Sequence, residues 1–429
     1  MRRRGRSPPP HPPPRSAVCR GSLAQCPLLF VRVWGLWACE PMKRLLLRSC
    51  TLIINRAKVT VWSLMMRNKP NRSRRLTALI VFCLIGIRSL IKFMNQDEEQ
   101  NDIWNLYLMR GEKNKNAQKY AGKVLEENCR PSFVQQQMAI LFPQKYNPVL
   151  HPFLDKSSIL RDAVFKYNTP FGFKNHQNVS KHLIHLMPMV SLPKELERNP
   201  CKRCIVLGSG GILRGLGLGH LLDKFDIVIR LNNAPIQGFT QDVGNKTTIR
   251  MSYPEGAPKS TLDYDPYMLF VAVMYKGVDF SWLNAMIKRE QVSFWENIWF
   301  WQKVAKKVPI KPAQFRILNP EIIMETAIDL LQLPEPRKKL WGWDQNIPTL
   351  GVSAVVLATH LCDEVSLAGF GYNLSQPQTP LHYYENVPMK AMKAQTMHNI
   401  EKERSFLEKL TKEGIVTDLS GGIHCKFCI

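Results

Sequence analysis

From residue 201 onward, apolar residues come in short β-branched runs separated by turn residues. Cys204-Ile-Val-Leu-Gly208 reads as a strand ending in a glycine loop, Gly208-Ser-Gly-Gly211. Arg214–Lys224 continues as a helix and Asp226-Ile-Val-Ile-Arg-Leu-Asn232 as a second buried strand. Strand, glycine loop, helix and strand within about 30 residues make a βαβ unit, the start of a parallel sheet with helices on both faces. Further strands are predicted at Thr247–Ser252, Leu269–Met274 and Phe315–Leu318, and helices at Ser281–Glu290 and Glu321–Leu331. The class is therefore α/β, a Rossmann-like, mostly parallel sheet flanked by helices.

Ahead of this region the pattern changes. Leu76–Ile87 is an apolar run of 12 residues, followed by Arg88 and Lys92, which would have to snorkel for the segment to span a bilayer. A buried core helix and a cleaved signal peptide compete with that reading. Arg72, Arg74 and Arg75 precede the run and Asp97, Glu98 and Glu99 follow it, and no small-residue cleavage site is present. That asymmetry favours an uncleaved signal-anchor with its N-terminus in the cytosol and the rest of the chain in a lumen. Stretches 27–39 and 51–66 are interrupted by Arg32, Arg56 and Lys58 and are not counted as spans; Met42 and Met66 are alternative starts.

Charge supports the same division. Of a formal net charge of +25, residues 1–75 contribute 17 Lys and Arg against the single acid Glu40. The remainder is only mildly basic, which points to topology at a membrane and away from nucleic acid. The expected organisation is a basic Pro-rich tail over 1–75, an anchor over 76–95, a stem and the start of the luminal part over 96–150, and a luminal catalytic domain over 151–429.

Of 11 cysteines, six lie beyond the anchor: Cys129, Cys201, Cys204, Cys362, Cys425 and Cys428. An even set in an oxidising lumen can form disulfides, although Cys201-x-x-Cys204 with Cys425-x-x-Cys428 can also spell a zinc site or a redox pair. Glycosylation sequons begin at Asn178, Asn245 and Asn373. The glycine loop marks a nucleotide site, but not a dinucleotide one. The third glycine of that fingerprint is replaced by Leu213, and the second strand ends in Arg230, Asn232 and Asn233 instead of an acid. Asparagine side chains and loop N–H groups suit base, ribose and phosphate oxygens.

Four segments in order carry a family resemblance. Cys201 through Thr248 resembles the large motif of eukaryotic sialyltransferases, and Pro348-Thr-Leu-Gly351 through Gly371 the small one. His382-Tyr-Tyr-Glu385 is similar to the third motif, and His398 with Glu403 to the very small one. Within the family, Arg250–Pro258 and Thr359–Tyr372 look most like members that build the simplest ganglioside on lactosylceramide. The chain departs from many relatives in carrying Ser209 and Ile212 where they have loop asparagines.

The resemblance implies a Golgi single-pass type II protein with a luminal catalytic domain. It implies transfer of sialic acid from CMP-sialic acid to the 3-hydroxyl of terminal galactose, in a single inverting displacement. His398 would be the base and His382 the proton donor to the departing phosphate. Gly208, Ser209, Gly210, Gly211, Asn232, Thr349 and Gly351 would bind the donor, with Tyr383, Glu385 and Glu403 supporting. Cys204 would pair with Cys362, and Cys201 with Cys129; Cys425 and Cys428 are left over. No metal is expected, because a histidine and backbone amides can neutralise the single phosphate. Asp263-Tyr264-Asp265 nevertheless has the spelling of a metal pair.

A lone histidine is more often a surface or core residue, and only the combined pattern overturns that habit. Glu403 is as suited to anchoring a helix as to touching chemistry. Phe294, Trp295, Trp299, Phe300 and Trp301 are expected mainly in the core, with an interfacial role for a lipid-linked acceptor as the competing reading. The alternatives carried are transfer to other galactosides, a membrane-tethered oxidoreductase, and a non-catalytic receptor-like protein. A homodimer is left open.

Overall fold

The computed structural model describes residues 114–188, 192–335, 346–371, 378–394 and 397–428. The expected tail and anchor, the first 18 residues of the expected stem (96–113) and the sequon at Asn373 lie outside the described residues. Among the described residues no helix is long and apolar enough to cross a membrane.

Seven strands form one sheet, β1 (Arg203–Leu207), β2 (Ile227–Leu231), β3 (Ile249–Ser252), β4 (Leu269–Ala272), β5 (Phe315–Ile317), β6 (Glu364–Ala368) and β7 (Val416–Asp418). Their order is β5-β4-β3-β2-β1-β6-β7 and every pairing is parallel. The strands read as near-continuous apolar runs because helices cover both faces. Alternate residues divide between the layers. Cys204 and Val206 join one core with α4 (Leu350–Leu361), while Ile205 and Leu207 join another with Leu213–Phe225. A third core packs Phe270, Ala272, Phe315 and Ile317 against α3 (Gly277–Lys288). Two more helices matter here, α1 (Phe133–Leu141) and α2 (Gln177–Leu186). Helix α5 (Ile400–Lys412) buries Phe406, Leu407 and Leu410 at helical spacing and turns its charges outward.

The predicted strands β1 to β5 are present within one to two residues. β6 and β7 go unpredicted: Glu364 and Ser366 interrupt the apolar run of the first, and the second has only three residues. The helix expected over Arg214–Lys224 is reduced to Gly219–Leu222, because Gly215 and Gly217 adopt φ of 78° and 64°, outside helical space. Helix α3 begins earlier than expected, since the Asp279 carboxylate accepts the Lys276 N–H at 3.0 Å and caps it. Glu321–Leu331 divides into an α-turn, Pro320–Met324, and a π-helical turn, Glu325–Leu330. The expected burial of the aromatic segment is corrected as well. Only Phe300 is in the core, whereas Phe294, Trp295, Trp299 and Trp301 face solvent.

Three disulfides tie the described unit together: Cys129–Cys201, Cys204–Cys362 and Cys425–Cys428. The second joins β1 to the C-terminal end of α4. The last answers what becomes of the two leftover cysteines.

Candidate active site

Parallel sheets place ligands beyond the carboxyl ends of their strands, where the strand order reverses. Here the reversal lies between β1 and β6. A cleft of 840 Å³ opens there, lined by the residues that follow β1 (Gly208, Ser209, Gly210), β2 (Asn232), β3 (Tyr253, Glu255) and β4 (Tyr275, Lys276). Gly369 and Phe370 after β6 complete that wall, and Thr349, Gly351, His382, His398 and Glu403 close it from above.

The glycine loop is built by close backbone approach. The Gly210 N–H donates to the Gly369 carbonyl at 2.9 Å, and a Cβ at Gly208 or Gly210 would lie 2.4 or 2.5 Å from that same oxygen. Any larger residue would separate the loops. The loop then pairs with the third motif: Gly211 N–H donates to Leu381 O at 3.0 Å, and Tyr383 N–H to Ser209 O at 3.0 Å. This sets His382 opposite Gly210. Gly211 itself is off the cleft wall, where a Cβ would meet Pro380 O at 2.1 Å, so its part is packing.

His382 is held from behind. Its Nδ1 contacts the Glu385 carboxylate, and its ring stacks on Tyr384 at 5.2 Å. A carboxylate on Nδ1 orients the ring and turns Nε2 to the other side. Tyr383 is buried under the loop, its hydroxyl donating to Pro235 O at 2.6 Å. Tyr383 and Glu385 therefore support the site without lining it.

His398 precedes α5, and its Nδ1 faces the Ile347 carbonyl at 2.8 Å. A carbonyl can only accept, so Nδ1 carries the hydrogen and Nε2 the lone pair. Burial lowers the ring's pKa below the usual 6.5, although the bond to Ile347 opposes this. The ring is thus held in its neutral form near pH 7. Five residues on, Glu403 accepts from the Thr349 N–H at 2.7 Å and from its hydroxyl at 2.5 Å. Burial raises this carboxyl to about 7, outweighing those two bonds. Thr349 is the N-cap of α4, so Glu403 anchors a helix at the cleft wall. The N-terminal end of this 12-residue helix, with its unpaired amide dipoles, favours an anion in the cleft.

Asn232 sits in the left-handed region at φ 49°, and its Oδ1 accepts from the Ser252 hydroxyl at 3.2 Å. Its backbone carbonyl accepts from the buried Arg250 guanidinium at 2.8 Å. The same guanidinium holds the Asp263 carbonyl at 3.1 Å, while the Asp265 carboxylate accepts the Tyr267 N–H at 2.8 Å. Asp263 and Asp265 lie away from the cleft, in a turn. Among the described residues no three His, Cys, Asp or Glu side chains gather as metal ligands.

Sequence reasoning passed over the wall opposite the histidines. Lys276 Nζ pairs with Glu255 at 2.7 Å and with Asp279 at 2.9 Å, both carboxylates buried. Asp279 is pushed up to about 6 by burial despite the lysine. A signal existed, because Tyr253-Pro-Glu255 directly follows a predicted strand, where parallel sheets put ligands.

Residues 153–415 match the family model described as Glycosyltransferase family 29 (sialyltransferase). The lactosylceramide alpha-2,3-sialyltransferase of Bos taurus is 51% identical over 371 residues, covering 85% of this chain and 88% of the relative. That of Homo sapiens is 51% identical over 370 residues, with the same coverage of 85% and 88%. A Mus musculus CMP-N-acetylneuraminate-beta-1,4-galactoside alpha-2,3-sialyltransferase is 44% identical over 307 residues, 72% of this chain and 80% of its own. A crystal structure of a mammalian sialyltransferase in complex with Gal-beta-1-3GalNAc-ortho-nitrophenol superposes with a TM-score of 0.53 at 24% identity, covering 68% of this chain and 98% of that one, and shares the fold.

Proposed function

The chain belongs to glycosyltransferase family 29, the sialyltransferases, and from that premise we propose that its cleft transfers sialic acid from CMP-sialic acid to the 3-hydroxyl of the terminal galactose of lactosylceramide. The observation that carries the reading is convergence. A neutral histidine with its lone pair on Nε2, a second histidine backed by a carboxylate, a glycine loop and a helix N-terminus share one cleft. Relatives 51% identical over 85% of the chain carry the lactosylceramide name, which favours that acceptor over other galactosides.

In this reading His398 Nε2 takes the proton of the galactose 3-hydroxyl as its oxygen attacks the anomeric carbon of sialic acid. The bond from that carbon to the phosphate of CMP breaks on the opposite face, so configuration inverts. His382 gives a proton to the released phosphate, and the amides of Ser209 and of the start of α4 hold its charge. A single phosphate is neutralised here by protein groups, so saturating EDTA should leave turnover intact. Collapse restored by Mn²⁺ would transfer the role to Asp263 and Asp265.

The direct test is labelled CMP-sialic acid with purified full-length protein against lactosylceramide, galactosylceramide and a glycoprotein glycan. Preference for lactosylceramide is expected, and preference for the glycan would move the assignment to other galactosides. Retention on immobilised cytidine but not adenine nucleotides separates a transferase from an oxidoreductase. The cellular setting that fits this chemistry is the Golgi membrane, with residues 76–95 as anchor and 151–429 as the luminal catalytic domain.

A further inference from the structure

The aromatic segment is hydrogen-bonded into a short helical turn and faces outward. Ser293 Oγ accepts the Glu296 N–H at 3.2 Å and Glu296 returns the bond to the Ser293 N–H at 3.3 Å, fixing the helical turn that presents Phe294 and Trp295. Downstream, the chain is fastened to the domain by its inward residues. Lys276 sits over the Phe300 ring at 4.8 Å, Gln302 donates to Glu255 O at 2.7 Å, and Trp282 donates to Ala305 O at 2.9 Å.

Between these fastenings Trp295, Trp299 and Trp301 remain 73%, 70% and 70% exposed, with Phe294 at 74% and Ile298 at 59%. Five large apolar side chains held in water by a preorganised backbone are not an accident of composition. Exposed basic residues flank them along the chain: Lys288, Arg289, Lys303, Lys306 and Lys307 against only Glu290 and Glu296 over 288–307. Indole rings with flanking lysines match the headgroup region of a bilayer, where the ring takes the boundary and the ammonium groups meet lipid phosphates. The patch also runs into the active site, because Trp301 lines the cleft.

We propose that the surface over 294–307 docks onto the phospholipid bilayer, seating Trp295 and Trp299 among the headgroups so that the cleft mouth at Trp301 meets a glycolipid whose lipid tails stay in the membrane. The inference rests on the glycolipid-acceptor reading above for its purpose, but not for the docking itself. It also accounts for a surface that a soluble acceptor would not require.

The experiment uses the full chain reconstituted in phosphatidylcholine vesicles, with and without phosphatidylserine, and the variant Trp295→Ala/Trp299→Ala. Lipids brominated near the headgroup should quench more tryptophan emission in the wild type than in the variant. The KM for lactosylceramide in the vesicles should rise on the order of tenfold in the variant, since each indole withdraws ~150–250 Å² from water. Its kcat, and all kinetics on a soluble lactoside, should be unchanged. Trp295→Tyr/Trp299→Tyr should recover most of the loss, and Lys303→Gln/Lys306→Gln/Lys307→Gln should abolish any gain from phosphatidylserine. Equal quenching in wild type and variant overturns the proposal, as does an equal loss on both acceptors. So does a sedimentation shift from dimer to monomer in the variant, which would assign the patch to a second copy. If the wild type sialylates neither acceptor the functional reading fails, while the quenching comparison still decides the docking.

Discussion

His398 and Glu403 act on the same short stretch, Ile347 to Thr349, and the atoms each spends there define its part. His398 commits Nδ1 to a carbonyl, which leaves Nε2 as the proton acceptor. His398→Ala should therefore lower kcat by ~10²–10⁴-fold, the usual worth of a positioned base. CMP affinity should change little, because in the proposed mechanism the base faces the acceptor hydroxyl. Burial holds the His398 pKa below 6.5, so kcat/KM should stay level through neutral pH and fall only as acid protonates Nε2 beneath that value. A limb beginning above 6.5, or one that survives in His398→Ala, assigns it to another group. His382→Ala should weaken both turnover and CMP binding, as in the proposed mechanism its partner is the phosphate in ground and transition states alike. Calorimetry with CMP separates the two: loss of binding in His398→Ala alone reverses the assignments. At this scale the sequence disclosed which histidines to name, through the family pattern. It did not disclose the tautomer, because Ile347 lies 51 positions from His398 and only the fold makes them neighbours.

The junction of α4 and α5 turns those contacts into a pH-dependent stability. Glu403 has a folded pKa of about 7 against an ordinary 4.5, so the native state holds a proton that the unfolded chain releases across that interval. Stability from this group is consequently present below about 4.5 and lost as pH rises through 7, by on the order of 3 kcal/mol at most. In Glu403→Gln, urea midpoints should be flatter than wild type across that window; parallel curves would show that burial does not control the carboxyl. The Cys204–Cys362 bond works on the same helix from its other end, closing a separation of 158 residues. Cys204→Ala/Cys362→Ala should lose about 2–5 kcal/mol or fail to fold, and an unchanged melting temperature would refute a stapling role. Elements were legible where the physics is local. β1 to β5 are apolar runs between turn residues, whereas β6 carries Glu364 and Ser366 and is a strand only because β1 and β7 flank it. The Arg214–Lys224 helix failed at its two glycines, whose left-handed φ values are set by the loop against Asp242. Its carboxylate accepts the N–H of Gly215 at 2.7 Å and of Gly217 at 2.9 Å.

For the whole molecule, periodicity shows that an aromatic run is apolar but not which way it faces. The exposure of Trp295 and Trp299 emerges only when the sheet, α3 and the cleft are assembled. Topology depends on the same kind of long-range consistency. The basic residues before 76 and the acids at 97–99 argue for a lumen beyond the anchor. Three disulfides in the described unit fit an oxidising compartment, and Asn178 and Asn245 are both exposed on it. The orientation proposed above, with residues 1–75 in the cytosol and the catalytic unit in the lumen, is consistent with each of these. Sealed microsomes containing the full chain should then protect the catalytic unit from added protease while a tag at the N-terminus is digested. N-glycosidase should increase the gel mobility of the protein, and Asn178→Gln and Asn245→Gln should each remove part of that shift. Digestion of the catalytic unit in sealed vesicles, with no glycosidase effect, would place it in the cytosol, where the disulfides would be reduced and the stapling of β1 to α4 could not operate.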